Sequence, residues 1–349
     1  MDVILKERDK MSITIIGAGA IGGVIGAYLT KNDEHVTFVD RDIEHVKEIN
    51  TNGLTIHKKD NKFTVKAPAY TVEEFLDTKE SVDIVFLAVK AQHTKEAIQP
   101  FQKLMHEKSF VVSFQNGLCE EIIASVVGNS RTVGCFINLF ADYIGPGNIE
   151  YGGAGSLYLG EIDGKVSSRV NDLRDRLQCW GDAKATQNIY GYLWSKLAYG
   201  AILTATALTN NEIADFYEDR KFHPLINSIG TEVLQVAANQ GITPEPFDNW
   251  IPGLLFPEKK DLALEKSYFD MAKRLRSYTK TRSGIWRDLA VRKRKTEVPE
   301  LFNPVIILGE KNGFDMSLLK KIISMIEEVE NGTREISLKN MDELTMYIK

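Results

Sequence analysis

SITIIGAGAIGGVIGAYLTKNDEHVTFVDRD, residues 12–42, is the stretch on which the fold turns. An apolar run at 13–16 opens directly onto glycines, a helical stretch follows at about 20–31, and a second apolar run occupies 36–39. Strand, glycine turn, helix and strand make one βαβ unit. Gly17, Gly19 and Gly22 stand at the G-x-G-x-x-G spacing, with Ala20 and Ile21 in the variable positions. That spacing meets three demands at once: a tight turn, close approach of backbone to a pyrophosphate, and close packing of helix on strand. The helix N-terminus then offers unpaired N–H groups and a partial positive charge to phosphates. Asp40 ends the second strand, where an acid holds the ribose diol of a dinucleotide, and it favours NADH over NADPH because it repels a 2′-phosphate. Arg41 beside it can pair with that phosphate, so either cofactor remains open.

Working outward, VDIVFLAV at 82–89 and FVVSF at 110–114 are continuous apolar runs separated by helical periodicity, the pattern of a parallel sheet covered on both faces. Lys90 follows the first run and Gln115, Asn116 and Gly117 follow the second, at the strand ends where such sheets bind ligands. The plainer readings are a surface lysine starting a helix and an ordinary Asn-Gly turn. Beyond about 130 the texture becomes glycines, Pro146 and alternating aromatics, which suggests antiparallel strands closing the sheet. From Tyr190 helical periodicity prevails over 190–215, 221–240, 260–295 and 316–330, punctuated by Pro252, Pro257, Pro299 and Pro304. The division expected is 1–187 for a dinucleotide-binding α/β domain and 188–349 for a mainly α-helical domain that carries substrate contacts and dimerisation.

Composition narrows the function. A formal net charge of −5 over 349 residues argues against a nucleic-acid partner, which would need a basic excess. Cys119, Cys135 and Cys179 form no C-x-x-C pair and signal neither a disulfide framework nor zinc. The six histidines lack i, i+4 pairing, so no catalytic metal is expected. No apolar run reaches the ~18 residues of a membrane span, and MDVILKERDKM lacks the apolar core of a signal peptide. A reduced, cytoplasmic, membrane-free setting is the expectation. RKRK at 292–295 reads as a solvated helix face.

LWSKLAYGAILTATALT, residues 193–209, contains one charged side chain, Lys196, in a helix apolar on nearly every face. Tyr192, Leu193, Tyr199 and Gly200 hold its i±3 and i±4 positions, so no acid of its own helix can pair with it in the usual way. Its partner must come from elsewhere in the chain.

GAGAIGG at 17–23, VK at 89–90, FQNG at 114–117, PGNIEYGGAGSLYLGE at 146–161, WSKL at 194–197 and RKTE at 294–297 resemble, in order and spacing, the ketopantoate reductase (2-dehydropantoate 2-reductase) family. The resemblance runs from about residue 12 to 330. It implies a Rossmann-type domain followed by a helical domain, and reduction of a 2-oxo acid to a 2-hydroxy acid with NADH or NADPH. It further implies that Lys196 is the catalytic lysine and Glu297 the catalytic glutamate. Asn116 would be the amide that contacts cofactor and substrate, Lys90 and Arg41 contacts to the adenosine phosphate, and Ser283 a substrate-binding serine. Three positions depart from the family pattern: Gly200, Thr204 and Lys280 stand where asparagines hold a pantoate-type substrate. A different, more acidic 2-oxo acid met by Lys280 or Arg282 would suit that change. The competing readings are an opine or 3-hydroxy acid dehydrogenase on the same two-domain plan and a nucleotide-sensing protein without catalysis.

Overall fold

The apolar runs become strands whose two faces are both covered. The computed structural model describes residues 11–255, 261–278 and 280–348, so residues 1–10 and Pro257 lie outside the described residues. β1 (Ile13–Ile16), α1 (Ala20–Lys31) and β2 (Val36–Val39) form the expected unit, β2 pairing parallel with β1. After α2 (Ile43–Asn52) come a hairpin, β3 (Leu54–His57) and β4 (Lys62–Val65), then β5 (Ala69–Tyr70) and α3 (Val72–Thr78). β6 (Val82–Leu87), α4 (Thr94–Ile98), β7 (Met105–Ser113) and α5 (Glu120–Val127) continue the alternation. The long pair β8 (Thr132–Gly145) and β9 (Asn148–Glu161), α6 (Ser168–Leu177) and β10 (Ala183–Ala185) complete this unit.

The ten-stranded sheet runs β4-β3-β9-β8-β7-β6-β1-β2-β5, with β10 beside β9. From β5 to β8 every pairing is parallel, the order of a doubly wound sheet, and it reverses between β1 and β6. Alternating residues explain the continuous apolar runs. Ile84, Phe86, Phe110 and Val112 face one core with α1 and α6, whereas Val85, Leu87 and Val111 face a second with Ile98, Phe101 and Ile123. Antiparallel β8–β9 and the hairpin β3–β4 extend the sheet around α1, where Tyr28 meets Phe63 and Tyr151 edge-on at 5.3 and 5.8 Å. This is an α/β fold of Rossmann type with a mixed, half-barrel sheet.

The other unit comprises Asn116–Leu118 and Tyr190–Lys349 and is helical. α7 (Ile189–Thr206) stops short of the periodicity read to 215, because the chain turns at 207–211 before α8 (Ile213–Glu218). α9 (His223–Asn239) follows, and the periodicity of 260–295 resolves into α10 (Asp261–Arg276) and α11 (Gly284–Ala290). RKRK is not a helix face but an exposed irregular segment, in which Arg292 and Arg294 both pair with Asp288 and Lys293 has φ +48°. Pro304 does not end a helix either. It sits inside α12 (Val298–Lys311), where burial of Phe302, Val305 and Ile306 outweighs one missing backbone bond. α13 (Ser317–Glu330) and α14 (Lys339–Thr345) close the chain, and the Ser337 N–H and Asn340 Nδ2 both donate to the Leu208 carbonyl just past α7.

Glu120, at the first turn of α5, is 1% exposed. Burial raises its carboxyl, which its own backbone and the Ser113 hydroxyl pull back only in part, leaving it at about 7. Because this folded value lies above the unfolded 4.5, the unfolded chain releases the proton first and stability falls as pH rises from 4.5 to 7. Glu120→Gln removes that slope. Denaturant unfolding from pH 4.5 to 8 should show its stability advantage over the parent widening by about 3 kcal/mol.

Candidate active site

The glycine loop divides its labour as its spacing requires. Gly17 has φ +97°, and a Cβ there would lie 2.9 Å from the Ala88 carbonyl carbon, so only glycine lets β1 turn beside β6. A Cβ at Gly22 would lie 2.1 Å from the Gly17 oxygen and 2.9 Å from Ile15 Cγ2, which fixes α1 directly on β1. At Gly19 nothing among the described residues comes within 4 Å of that position. Gly19 is also the N-cap of α1, a residue with no side chain to cap the helix, and the first turn that Ala20 and Ile21 begin holds no acid. Open space before uncapped N–H groups fits a pyrophosphate.

Asp40 does something that its position in the sequence did not disclose. Its Oδ2 accepts the Ala18 N–H at 2.7 Å and its Oδ1 accepts the Asp42 N–H at 3.0 Å, so the carboxylate ties the end of β2 to the glycine loop. Arg41 is exposed, its Nη1 3.5 Å from His93 Nε2. Lys90 is half-buried just past β6. Gln115 is buried and donates to both the Val89 carbonyl and Thr94 Oγ1 at 2.9 Å, bracing the ends of β6 and β7 against each other.

In the helical unit Lys196 is half-buried on α7 among buried Leu193, Trp194, Leu197 and Ala198. Neighbouring Ser195 accepts from Trp250 Nε1 at 3.1 Å, and Tyr199 packs against the rings of Phe247 and Trp250. Asn116 Nδ2 donates to Glu297 Oε1 at 3.1 Å, bringing together residues 181 apart in sequence. The neighbour of Glu297 is anchored in turn: Thr296 donates its N–H and hydroxyl to Glu330 Oε1, both at 2.7 Å. No local pattern announced Glu330, which lies 34 residues on.

The residues expected on the substrate divide. Among the described residues a Cβ on Gly200 would meet only the Phe302 ring, at 3.8 Å, so the position is roomy and bordered by an aromatic edge. Thr204 is a correction: it is fully buried and its hydroxyl donates to the Gly200 carbonyl at 2.8 Å, so the group is consumed inside α7. Ser283 is the N-cap of α11, accepting from the Trp286 N–H at 3.2 Å, and Lys280 is half-buried nearby in sequence. Arg282 donates to the Asn210 carbonyl and lies 4.7 Å over Trp286, which commits it to its own unit.

With this arrangement in place, comparison with known proteins is decisive. Sequence profiles described as "Ketopantoate reductase PanE/ApbA" and its C-terminal part match residues 13–164 and 188–330. The chain belongs to the ketopantoate reductase family. Membership makes it an NAD(P)-dependent oxidoreductase that acts on a CH–OH group. Among its ketopantoate reductase relatives, a 2-dehydropantoate 2-reductase of Archaeoglobus fulgidus is 26% identical over 333 residues, 92% of this chain and 98% of that protein. In fold it is similar to a ketopantoate reductase of Ralstonia eutropha, with TM-score 0.75 and 20% identity over 93% of this chain and 99% of that one. A D-mandelate dehydrogenase solved with NADH and anilino(oxo)acetate has TM-score 0.78 and 22% identity over the same shares.

Two alanine substitutions separate the jobs of the loop. Gly19→Ala should fold with parental stability yet weaken dinucleotide binding about tenfold or more, read by fluorescence titration. Gly22→Ala should lose about 1–3 kcal/mol in denaturant unfolding through overpacking against β1.

Proposed function

We propose that this protein reduces a 2-oxo acid to the 2-hydroxy acid, with Lys196 as general acid. The observation that carries this reading is the contact of Asn116 with Glu297 in the unit that also holds Lys196, a lone cation in an apolar helix. The nicotinamide, when bound, supplies the hydride to the carbonyl carbon. The Lys196 ammonium meets the charge that develops on the carbonyl oxygen and gives it a proton, which solvent replaces. Glu297, steadied by Asn116 and by the Thr296–Glu330 anchor, orients the lysine or accepts from the product hydroxyl. Ser283 and Asn116 are assigned to the substrate carboxylate and carbonyl. The units proposed are 1–187 for the dinucleotide and 188–349 for the substrate.

The adenosine end is assigned to Asp40, Arg41 and Lys90. The sequence-based lean to NADH rested on Asp40, whose two oxygens already accept backbone N–H groups, while Arg41 is exposed beside His93. An exposed guanidinium at that point favours NADPH. On the substrate side, Gly200 beside the Phe302 ring favours an apolar, branched or aromatic side chain, whereas Arg282 is engaged elsewhere. Ketopantoate or a close relative is the proposed substrate, and the reaction requires no amine, unlike that of an opine dehydrogenase. A homodimer is proposed by likeness to a ketopantoate reductase of Staphylococcus aureus described as dimeric (TM-score 0.67, 17% identity).

The test is a panel of 2-oxo acids, ketopantoate and arylglyoxylates included, with NADH and NADPH and with or without ammonia. Turnover is expected without amine and with NADPH preferred, and Arg41→Ala should raise KM for NADPH more than for NADH. Lys196→Ala should lower kcat by about 10²–10⁴-fold with cofactor affinity retained. Near-parental turnover in that variant would remove the lysine from the mechanism.

A further inference from the structure

His45 lies in the first turn of α2, 1% exposed. Its Nδ1 accepts the Gly147 N–H at 2.9 Å, and its Nε2 is 2.9 Å from the Ala18 carbonyl oxygen. A backbone N–H can only donate, so Nδ1 carries the lone pair and the ring proton sits on Nε2, aimed at Ala18. Ala18 is the residue between Gly17 and Gly19, and both of its peptide groups are now held: its N–H by Asp40, its carbonyl by His45.

His45 is itself fixed from three sides. Its own backbone N–H donates to the Asp42 side chain that caps α2. The Tyr143 ring stands edge-on to it at 5.0 Å, and the Tyr143 hydroxyl donates to the other Asp42 oxygen at 3.1 Å. Burial and that bond to Asp42 push the Tyr143 phenol well above its usual range, so it remains a donor. At the turn between β8 and β9, Gly147 has φ +68°, and a Cβ there would lie 2.5 Å from Glu48 Cγ. The turn is therefore seated against α2 where its N–H meets the ring.

We infer that His45 is a positioning residue for the dinucleotide: it fixes the Gly17–Gly22 loop by gripping Ala18 and ties that loop to the turn of the β8–β9 pair. It acts through Ala18 without touching the cofactor. The orientation of the free N–H groups that open α1 follows from where Ala18 is held. The inference rests on the reading that this loop binds a dinucleotide.

Two substitutions divide the ring in half. In His45→Asn the amide oxygen takes the place of Nδ1 and keeps Gly147, but the side chain is too short to reach Ala18. In His45→Gln the amide nitrogen takes the place of Nε2 and keeps Ala18, while Gly147 loses its acceptor. Dissociation constants for NADPH and NADH, measured by fluorescence titration on the full chain, should rise about tenfold for His45→Asn and stay within about twofold for His45→Gln. Both variants should melt lower than the parent. A merely structural histidine would lower both melting temperatures without separating the two affinities. Should His45→Asn fail to fold, His45→Met fills the volume without either bond and should show the same tenfold loss. Equal affinities in the two amide variants, or parental affinity in His45→Asn or His45→Met, would overturn the inference. A parental chain that binds neither cofactor would instead overturn the dinucleotide reading, and this inference with it.

Discussion

Everything in the α/β unit depends on how closely α1 lies on the sheet. A Cβ at Gly22 would lie 2.9 Å from Ile15 Cγ2, at Gly23 2.2 Å from Ile149 Cδ1, and at Gly26 2.3 Å from the Phe38 ring. Three glycines on one helix let it sink onto β1, β2 and β9 where any side chain would force it away. Only at that depth does its N-terminus open at the point where strand order reverses, with Gly17 against Ala88. Helix propensity is sacrificed, at about 1 kcal/mol per glycine relative to alanine, and burial of Val24, Ile25, Ala27 and Leu29 makes up the loss.

The parts of the fold that could be read directly were those whose cause is local. β1, α1 and β2 have the bounds expected, because continuous apolar runs and a glycine turn are one-dimensional signals. β3 and β4 went unread. Their residues include His57, Lys62 and Thr64, and what makes them strands is their pairing with each other and that of β3 with β9, far along the chain. Helix limits differ from the periodicity for related reasons: Pro304 reads as punctuation, yet the core-facing side chains around it hold α12 together.

In the site, residue types were legible and hydrogen-bond destinations were not. Asp40 and Asn116 were singled out from their positions at strand ends, but nothing in the sequence said that one would hold Ala18 and the other Glu297. Thr204 illustrates the limit. The family resemblance places it where an asparagine holds substrate, yet its hydroxyl is absorbed by the carbonyl four residues back.

The placement of β3 beside β9 also governs when this unit can finish folding. His57 Nε2 bonds to Asn148 Oδ1 at 2.8 Å across a separation of 91 residues, and Thr55 pairs with Asn148 in the ladder. A ribosome adding about 5–20 residues per second leaves the β3–β4 hairpin without its neighbour for roughly 5–20 s. Through that interval α1 has the β1–β2 strands to rest on but not Ile149, and His45 has Ala18 within reach but not Gly147. The nascent chain therefore carries an exposed strand edge and an unbraced loop, an aggregation-prone stage that chaperones or rapid emergence of β8 and β9 must cover.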